Sequence, residues 1–376
     1  MSKLFESTRI KDLVLPNRFV RSATWEGLAG ENGSATTGIV EMMAQLARGG
    51  VGLIISGHAY VSKEGQAGPW QLGVHSDALM SGLAQMAGAV HAAGGRIAIQ
   101  LAHAGLASRT SGLDLIGPSA TLEQPGRLPA REMTQGDIEA VTQAFAVAAR
   151  RAQTAGFDAV QIHAAHGYLL SQFLSPSFNK RTDEYGGPVE KRARLAVKVV
   201  KAIRQAVGPG FPILIKINSE DFLPDGFTVE DMLHTIQMLD EAGIDGIELS
   251  GGAFSSGKKN PVRHGTPDPG DPEAYYEAAA GRAKEKVAVP IMLVGGIRTF
   301  ETAEKLVSDG MADYIALCRP LICEPDLVNR WKSGDRRPSD CASENGCSKA
   351  VFKGKGVSCV VKAKKKGDPT RGGEKE

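Results

Sequence analysis

Hydrophobic and polar positions alternate along this chain in a regular way. Eight short, mostly apolar runs rich in β-branched residues recur, and longer segments with helical spacing lie between them. The runs cover 18–24, 51–57, 96–102, 158–163, 212–218, 245–251, 290–296 and 313–319. Continuous apolar runs are typical of parallel strands that are covered on both faces. The pattern therefore predicts repeated βα units.

One inter-strand segment shows the helical pattern clearly. Ile138, Val141, Phe145 and Ala148 recur three or four residues apart, and Gly156 ends the segment before the next strand. Eight units of this kind, with no GxGxxG after the first strand, favour a closed (β/α)8 TIM barrel over a doubly wound sheet. We therefore expect an α/β chain built on one barrel domain.

The remaining segments divide the chain into regions. The stretch 105–135 follows the third predicted strand and carries several glycines and prolines, so it is an insertion placed where a loop can cover the mouth of a barrel. We expect the barrel to cover 1–335 and a short extension that contains cysteines to cover 336–361. The lysine-rich stretch 362–376 has nothing to bury and is predicted to be a disordered basic tail.

Composition narrows the functional classes. The 376 residues have a formal net charge of +2, which gives no reason to expect nucleic acid or a membrane surface as a partner. No window is apolar enough for a membrane helix, and the N-terminus does not resemble a signal peptide. The five cysteines all lie between Cys318 and Cys359, which favours a reducing compartment over a disulfide framework. We expect a cytoplasmic protein that acts on a small molecule, with a homo-oligomer as an open possibility.

Polar residues stand at the carboxyl ends of the predicted strands, where barrel enzymes build their active sites. They are Thr24, Trp25, Gly57, His58, Gln100, His103, His163, His166, Tyr168, Lys216, Ser250, Gly295, Gly296, Cys318 and Arg319. A ring of this kind predicts a site at the mouth of the barrel.

The segment His163-Ala-Ala-His166-Gly-Tyr168 leaves the fourth predicted strand. Two imidazoles three residues apart can direct N–H groups at one carbonyl or nitro oxygen and stabilise the negative charge that develops there. Tyr168 is then placed to supply a proton. A rival interpretation combines His58 and His103 with this pair as the zinc ligands of a hydrolase, although no strand end offers a carboxylate to complete such a set.

Two polar residues lie inside apolar strands. Lys216 interrupts the run ILIKIN, and a buried lysine needs a partner. That partner is the anionic edge of a reduced flavin or a carboxylate, unless the lysine forms a Schiff base as in barrel aldolases. Gln100 lies between Ile99 and Leu101, and its amide can pair a donor and an acceptor with a pyrimidine-like edge.

The last two strands end in residues suited to a phosphate group. Gly295 and Gly296 end the seventh strand, and Cys318 and Arg319 end the eighth. Loops after these two strands commonly bind phosphate through backbone N–H groups and a helix N-terminus, and Arg319 adds a cation. The pattern favours a phosphorylated cofactor.

Together these residues resemble the old yellow enzyme family. The segments that carry the resemblance are NRFVRSAT, QLAHAG, GFDAVQIHAAHGYLLSQFLSP, NKRTDEYGG and the Gly-Gly and Cys-Arg pairs, over about Leu13 to Trp331. The block around the two histidines and the RTDEYGG segment is the specific part. The resemblance implies FMN as cofactor, NAD(P)H as reductant and an enone or similar activated alkene as oxidant, in a ping-pong cycle.

The resemblance also implies a role for each residue. Ala23, Thr24 and Trp25 would line the flavin, and His58 would contact it through its backbone. Gln100 would bind the pyrimidine edge and Lys216 would lie beside N1. The phosphate would be bound by Gly295, Gly296, Cys318 and Arg319. His163 and His166 would bind the substrate oxygen beside Trp25, and Tyr168 would protonate the α-carbon.

Three positions depart from the family's usual pattern. Trp25 stands where the family usually has a threonine or cysteine bonded to flavin O4, and an indole is larger and offers a single N–H. Lys216 replaces a common arginine, which keeps the cation and loses the bidentate fork. Cys318 replaces the usual glycine at the phosphate, so its side chain must turn away.

The cysteines of the extension carry a second resemblance. Cys341, Cys347 and Cys359 are similar to three of the four cysteines that bind an iron–sulfur cluster in the 2,4-dienoyl-CoA reductase and trimethylamine dehydrogenase branch. Glu344 stands at the position of the remaining cysteine. Because thiolates bind such clusters far better than carboxylates do, we expect no [4Fe–4S] cluster and regard the three cysteines as weak metal candidates.

The sequence therefore predicts an FMN-dependent ene-reductase. The alternatives it leaves open are a zinc hydrolase on the same barrel, a lysine aldolase that uses Lys216, and a flavin-binding protein without catalytic activity. Trp25 keeps the last alternative open, because it crowds the expected substrate position.

Overall fold

The computed structural model describes residues 2–122, 129–263 and 273–365. Its centre is a closed barrel of eight parallel strands. In chain order they are Phe19–Arg21, Leu53–Tyr60, Ile97–Ala102, Ala159–Ala164, Ile213–Asn218, Gly246–Ser250, Ile291–Val294 and Tyr314–Leu317. Each strand overlaps one of the predicted runs, so the predicted (β/α)8 TIM barrel is confirmed.

Helices follow the strands and cover the outside of the barrel. Those of eight or more residues are Thr37–Arg48, Met80–Ala92, Gln135–Thr154, Arg194–Val207, Val229–Glu241, Glu277–Lys284 and Phe300–Ser308, and Leu327–Lys332 is one of the short helices. Shorter helices are Leu169–Leu174, Val189–Arg192, Arg319–Cys323, Gly346–Val351 and Val360–Lys365. Single 3₁₀ turns cover Lys3–Phe5, Lys63–Gly65, Asp77–Leu79, Gly105–Ala107 and Gly257–Lys259.

The helix Gln135–Thr154 illustrates how local sequence sets an element. Thr134 accepts a hydrogen bond from the backbone N–H of Asp137, and the Asp137 carboxylate returns a bond to the N-cap, which forms a capping box. Gly156 has a positive φ of 89° that ends the helical segment. The predicted apolar stripe is buried against the barrel: Ile138, Val141, Phe145 and Ala148.

The interior of the barrel changes character along its axis. The lower end is closed by a hairpin of the strands Thr8–Ile10 and Leu13–Leu15. Above it lies an apolar layer that includes Val20, Leu53, Ile55, Ala98, Leu214 and Tyr314. Buried polar side chains follow toward the carboxyl ends of the strands, where Lys216 pairs in register with His163 and with Glu248. The lower half of the barrel interior is therefore a packed apolar core, and the upper half contains the buried polar side chains.

Two segments cover the mouth of the barrel. The insertion after the third strand contains a short parallel pair, Leu115–Gly117 with Ala130–Glu132, and 123–128 lie outside the described residues. The segment after Lys332 packs on the barrel, where the Val357 N–H donates to the Glu26 carbonyl at 2.7 Å.

The predicted tail is described only at its start. The helix Val360–Lys365 crosses the boundary expected at residue 361, and 366–376 lie outside the described residues. Within the described ranges, no helix combines the length and apolar character needed to cross a membrane.

Candidate active site

A chain of buried polar side chains crosses the upper interior of the barrel. The Gln100 amide donates to Gln161 Oε1 at 2.7 Å, and the Gln161 amide donates to Glu248 Oε2 at 2.7 Å. Lys216 Nζ lies 3.0 Å from the other carboxylate oxygen, Glu248 Oε1, and 2.8 Å from Ser22 Oγ. All five side chains are buried, so the chain holds Gln100 and Lys216 in single orientations.

Gln161 and Glu248 were missed by the sequence analysis. Each interrupts an otherwise apolar strand, AVQIHA and GIELS, and that interruption was the available signal. Lys216 and Gln100, which bond to Glu248 and Gln161, each keep polar groups free. The Lys216 ammonium has three N–H donors and uses two of them here, so one N–H remains. Gln100 likewise retains one amide N–H and its carbonyl oxygen. Both residues still have the groups needed for a further polar partner.

Three rings of the predicted histidine and tyrosine segment lie together at the mouth. The His163 and Tyr168 ring centroids are 4.6 Å apart, and those of His163 and His166 are 5.2 Å apart. His58 joins them from the second strand, because its Nε2 lies 2.8 Å from the Tyr168 hydroxyl. The structure thus brings together the three residues predicted from one segment and adds the His58 side chain, for which the family resemblance implied a backbone contact with the flavin.

Local backbone geometry and one serine orient His166. Its φ of 64° is a left-handed conformation, and its backbone N–H donates to Asn218 Oδ1 at 3.2 Å. Its Nε2 lies 2.8 Å from Ser250 Oγ at the end of the sixth strand. His163 differs, since its Nδ1 is buried and has no hydrogen-bond partner among the described residues. An unpartnered buried nitrogen is costly unless a ligand satisfies it.

Burial sets the charge of these rings. It lowers the pKa of His58 to about 4 and those of His163 and His166 well below their usual value, with the Lys216 cation contributing for the latter two. Burial also raises the pKa of Tyr168, while the Arg109 cation opposes that shift. At neutral pH the mouth therefore holds neutral imidazoles and a protonated phenol, which are hydrogen-bond and proton donors.

The buried histidines predict a specific loss of stability in acid. His58 and His103 have folded-state pKa values of about 4 against 6.5 when unfolded, so the unfolded chain binds protons first as the pH falls. The free energy of unfolding should be fully retained above pH 6.5 and fall below it, by up to about 1.4 kcal/mol per pH unit for each such histidine. Urea denaturation between about pH 7 and about pH 5 measures the slope.

Two variants separate this effect from general acid sensitivity. His103→Gln removes one buried titrating group and should flatten the slope. His234→Gln is the control, because it replaces a histidine whose side chain is 55% exposed. Equal stability at both ends of the pH range would contradict the prediction.

Trp25 and its neighbours lie at the end of the first strand. The Trp25 Nε1–H is buried and has no acceptor among the described residues. Its ring contacts His58 edge-on, with centroids 5.9 Å apart. Thr24 Oγ1 lies 3.0 Å from Cys318 Sγ, which links the first strand end to the last, and Ala23 packs on the apolar layer below. The indole N–H is thus available to an oxygen of a bound molecule.

At the predicted phosphate site, the glycines and part of the Arg319 guanidinium already contact other residues of the protein. Gly295 and Gly296 have φ values of 127° and 78°, and a Cβ on Gly296 would lie 2.5 Å from the Tyr275 ring. Packing against the Tyr275 ring therefore explains the glycine at 296 without a phosphate. Arg319 Nη1 donates to the Arg263 carbonyl at 2.9 Å and to Asn345 Oδ1 at 2.6 Å. The remaining guanidinium donors of Arg319 are the ones available to a phosphate.

The cysteines of the extension lie near one another and near Cys323, the last residue of the helix Arg319–Cys323. Cys323, Cys341, Cys347 and Cys359 line one small cavity beside Arg319. Burial raises the pKa of Cys347 to about 11 and that of Cys341 above its usual value, so both are thiols at neutral pH. Within the described ranges, no three His, Cys, Asp or Glu side chains are arranged to hold a metal ion. This holds for the histidines at the mouth as well.

Several polar groups at the mouth have no protein partner within the described ranges and could bind an FMN ring. Lys216 and Gln100 keep donors and an acceptor free, and Trp25 Nε1 and His163 Nδ1 have no partner among the described residues. Gln100, His163 and Lys216 lie in three consecutive strands of the barrel, and Trp25 follows the first strand. A flavin carries carbonyl oxygens and an N1 edge that such groups can bind. At the predicted phosphate site, the remaining Arg319 donors are compatible with the phosphate of FMN.

Comparison with known proteins places the chain in a family. Residues 3–337 match the NADH:flavin oxidoreductase / NADH oxidase family. The NADH oxidase of Thermoanaerobacter brockii is 35% identical over 370 residues, which cover 95% of this chain and 55% of that protein. A solved structure of a 2-naphthoyl-CoA reductase superposes with a TM-score of 0.87 and 28% identity, over 98% of this chain and 58% of that one. This chain thus spans just over half of the length of both relatives.

A shorter relative matches from end to end. The old yellow enzyme homologue from Zymomonas mobilis has a TM-score of 0.77 and 29% identity, over 95% of this chain and 97% of that one. The family match, the barrel and this superposition agree with the resemblance predicted from the sequence, while its finer assignment to a branch stays a prediction. The chain belongs to the NADH:flavin oxidoreductase / NADH oxidase family and is related in sequence and fold to the old yellow enzymes.

Proposed function

We propose that this protein is an FMN-dependent oxidoreductase that uses NAD(P)H to reduce an activated C=C bond. The observation that carries the proposal is the placement of a buried, protonated Tyr168 and a His163 Nδ1 without a partner among the described residues in the same end of the barrel as the Lys216 and Gln100 chain, with His163 paired in register with Lys216. Family membership supports the cofactor and the reductant.

The cofactor would be held at several strand ends. Lys216 would direct its third N–H at the N1 edge of the ring, and Gln100 would pair its free amide groups with the pyrimidine edge. Trp25 would donate its indole N–H to a ring carbonyl, beside Ala23, Thr24 and the His58 backbone. Gly295, Gly296, Cys318 and Arg319 would take the phosphate. When bound, FMN supplies hydride transfer between the nicotinamide and the alkene.

The chain's own residues would then act on the substrate. His163 and His166 would donate hydrogen bonds to the carbonyl oxygen, and neutral donors held in a dry site stabilise developing negative charge without reorganising. Tyr168 would deliver its proton to the α-carbon, after which its oxygen can accept a hydrogen bond from His58. The reductant and the alkene would occupy the same space in turn, which makes the cycle ping-pong.

The other chemistries suggested by the sequence have less support. A Schiff-base lysine must become a neutral amine to attack a carbonyl, but Lys216 is held in a buried ion pair with Glu248 at 3.0 Å. A zinc hydrolase needs a ligand set, and the described residues do not assemble one. Neither alternative explains the free groups of Gln100 and Trp25.

The visible spectrum of the purified protein tests the proposed function. We expect a yellow protein that develops a long-wavelength charge-transfer band when a phenol is added. His163→Ala should weaken phenolate binding by about 10–100-fold, because a hydrogen bond to a charged group contributes about 1.5–3 kcal/mol. His234→Ala, on the outer surface, is the matched control.

Each part of this test can fail separately. A colourless preparation that does not take up FMN would remove the cofactor and the proposed function with it. A yellow protein whose affinity for phenolate is unchanged by His163→Ala would retain FMN and remove His163 from the substrate site. Bound flavin that no alkene reoxidises would favour a flavin-binding protein without this activity.

A further inference from the structure

A β-bulge immediately precedes His58 in the second strand of the barrel. This strand pairs in register with the third strand at Ile55, and the register shifts by one residue before pairing resumes at His58. Ile55 packs in the apolar layer of the interior, so strict alternation would turn Gly57 inward and His58 outward. The additional residue of the bulge turns His58 inward instead, into the polar upper half of the interior.

Three buried side chains hold the bulge in place. The Glu26 carboxylate accepts a hydrogen bond from the Gly57 N–H at 2.7 Å, and Arg21 donates to the same carboxylate oxygen at 3.1 Å. A Cβ at residue 57 would collide with this carboxylate, so a glycine is required there. The Gln71 amide donates to the His58 carbonyl at 3.1 Å. The backbone around His58 is therefore fixed by specific contacts, as expected of a bulge that orients a side chain of a site.

The bulge brings the His58 side chain to Tyr168. Its Nε2 lies 2.8 Å from the phenolic oxygen, and the two rings meet edge-on with centroids 5.3 Å apart. No second hydrogen bond reaches this hydroxyl from the described residues. Burial lowers the pKa of His58 to about 4 and raises that of Tyr168, so both groups are neutral at neutral pH. A hydrogen bond between a neutral imidazole and a phenol can run in either direction.

We propose that His58 donates its Nε2–H to the Tyr168 oxygen and thereby positions Tyr168 as the proton donor of the proposed reaction. With this direction the phenol keeps its own O–H free to point at the α-carbon of a substrate. With the opposite direction the O–H would point at the imidazole and away from the substrate. The proposal rests on the proposed function, since it adds a positioning residue to the same site.

The charge that develops on Tyr168 favours this direction. When the proton is delivered, the O–H bond breaks, and its electron pair stays on the phenolic oxygen. A C–H bond forms at the α-carbon with the electron pair of the enolate. Burial makes the phenolate unfavourable, which is why it raises the pKa of Tyr168. An Nε2–H aimed at the oxygen offsets that cost, because a hydrogen bond to a charged acceptor is stronger than one to a neutral acceptor. Water then returns a proton to the oxygen.

Reoxidation of the flavin-loaded protein by two oxidants tests the proposal. Cyclohexenone must receive a proton at carbon, whereas p-benzoquinone becomes a hydroquinone whose new hydrogens lie on oxygen and exchange directly with water. His58→Phe keeps a flat ring and removes the donor, so it should slow anaerobic reoxidation by cyclohexenone about 10–100-fold. Reoxidation by p-benzoquinone should stay within about twofold, because no proton has to be delivered to carbon.

Three further variants sharpen the test. His58→Gln places an amide N–H near the position of Nε2 and should retain most of the rate with cyclohexenone. His58→Phe combined with Tyr168→Phe should be no slower than Tyr168→Phe alone, since His58 acts through the hydroxyl that is already missing. His91→Phe is the matched control, because His91 also bonds through Nε2, to Asp158 at 2.9 Å, just before the fourth strand begins. It should leave both rates unchanged.

The direction of the hydrogen bond can be measured without turnover. Nitrogen NMR of isotope-labelled histidines shows which ring nitrogen of His58 carries the proton, and the signal lost in His58→Phe identifies this residue among the eight histidines of the chain. We expect the proton on Nε2. A proton on Nδ1 would show that Tyr168 donates to His58, and the proposal would be overturned.

Three other outcomes are decisive. Equal slowing with both oxidants in His58→Phe would make His58 a structural support of the site and overturn the proposal. Further slowing in the double variant would do the same, because His58 would then act independently of Tyr168. If p-benzoquinone reoxidises the flavin, no enone does, and Nε2 carries the proton, the proposed function fails while the hydrogen bond assigned to His58 stands.

Discussion

Replacing Tyr168 with phenylalanine is expected to slow reduction of an activated alkene by about 10²–10⁴-fold, which is the usual contribution of a positioned general acid. Reduction of the bound flavin by NAD(P)H should stay within about twofold, because no proton from Tyr168 is needed in that half-reaction. The substitution removes one hydroxyl, whose partner is His58 Nε2 at 2.8 Å, and keeps the ring that packs on His163. The variant should therefore keep the shape of the site and lack the proton donor.

Anaerobic stopped-flow measurements of the two half-reactions check this prediction. Tyr314→Phe is the matched control, because Tyr314 is also buried and its hydroxyl bonds Thr8 Oγ1 at 3.0 Å, near the closed end of the barrel. That variant should affect neither half-reaction. If Tyr168→Phe slows both half-reactions equally, Tyr168 supports the flavin site and is not the proton donor.

Replacing Lys216 with methionine is expected to destabilise the fold by about 3–5 kcal/mol and to weaken FMN binding. The large effect on the free energy of unfolding arises because Glu248 would be left as a buried charge with no counter-ion, and breaking a buried pair from one side has this magnitude. The effect on FMN arises because the remaining ammonium N–H is the donor available to the ring.

The double variant Lys216→Met with Glu248→Gln separates these two effects. The neutral amide introduced by the second substitution can still accept the hydrogen bond from Gln161, so most of the lost stability should return. The affinity for FMN should not return, because the cation is still missing. Urea denaturation of the flavin-free protein and titration with FMN measure the two quantities.

A surface ion pair provides the control for this comparison. Lys198→Met breaks the contact with Glu139, whose side chain is mostly exposed, and should change stability little. If Lys216→Met is no more destabilising than Lys198→Met, the Glu248 charge is compensated in another way. If FMN binds equally well to both single variants, Lys216 has no part in holding the cofactor.

The amino-acid sequence by itself determined the architecture and the end of the barrel at which the candidate site residues meet. Strand periodicity, helix caps and glycine stops are local properties, so the eight βα units could be predicted from short windows. Parallel strands of a closed barrel bring their carboxyl ends to one mouth, and this geometric rule placed Gln100, Lys216 and the His163–Tyr168 segment together. The apolar surroundings of Lys216 also predicted that it needs a partner.

The identity of that partner was decided by the tertiary structure. Glu248 meets Lys216 because the fifth and sixth strands pair in one register, and a slip of one residue would turn either side chain out of the barrel. His58 and Tyr168 are 110 residues apart, and their hydrogen bond depends on how the second strand and the segment after the fourth strand approach each other at the mouth. The same holds for Phe352, which lies in an extension without periodicity and reaches Trp25 only through packing. Local pattern predicts which residues face the interior, whereas contacts between distant segments depend on register, loop path and side-chain rotamers that no short window contains.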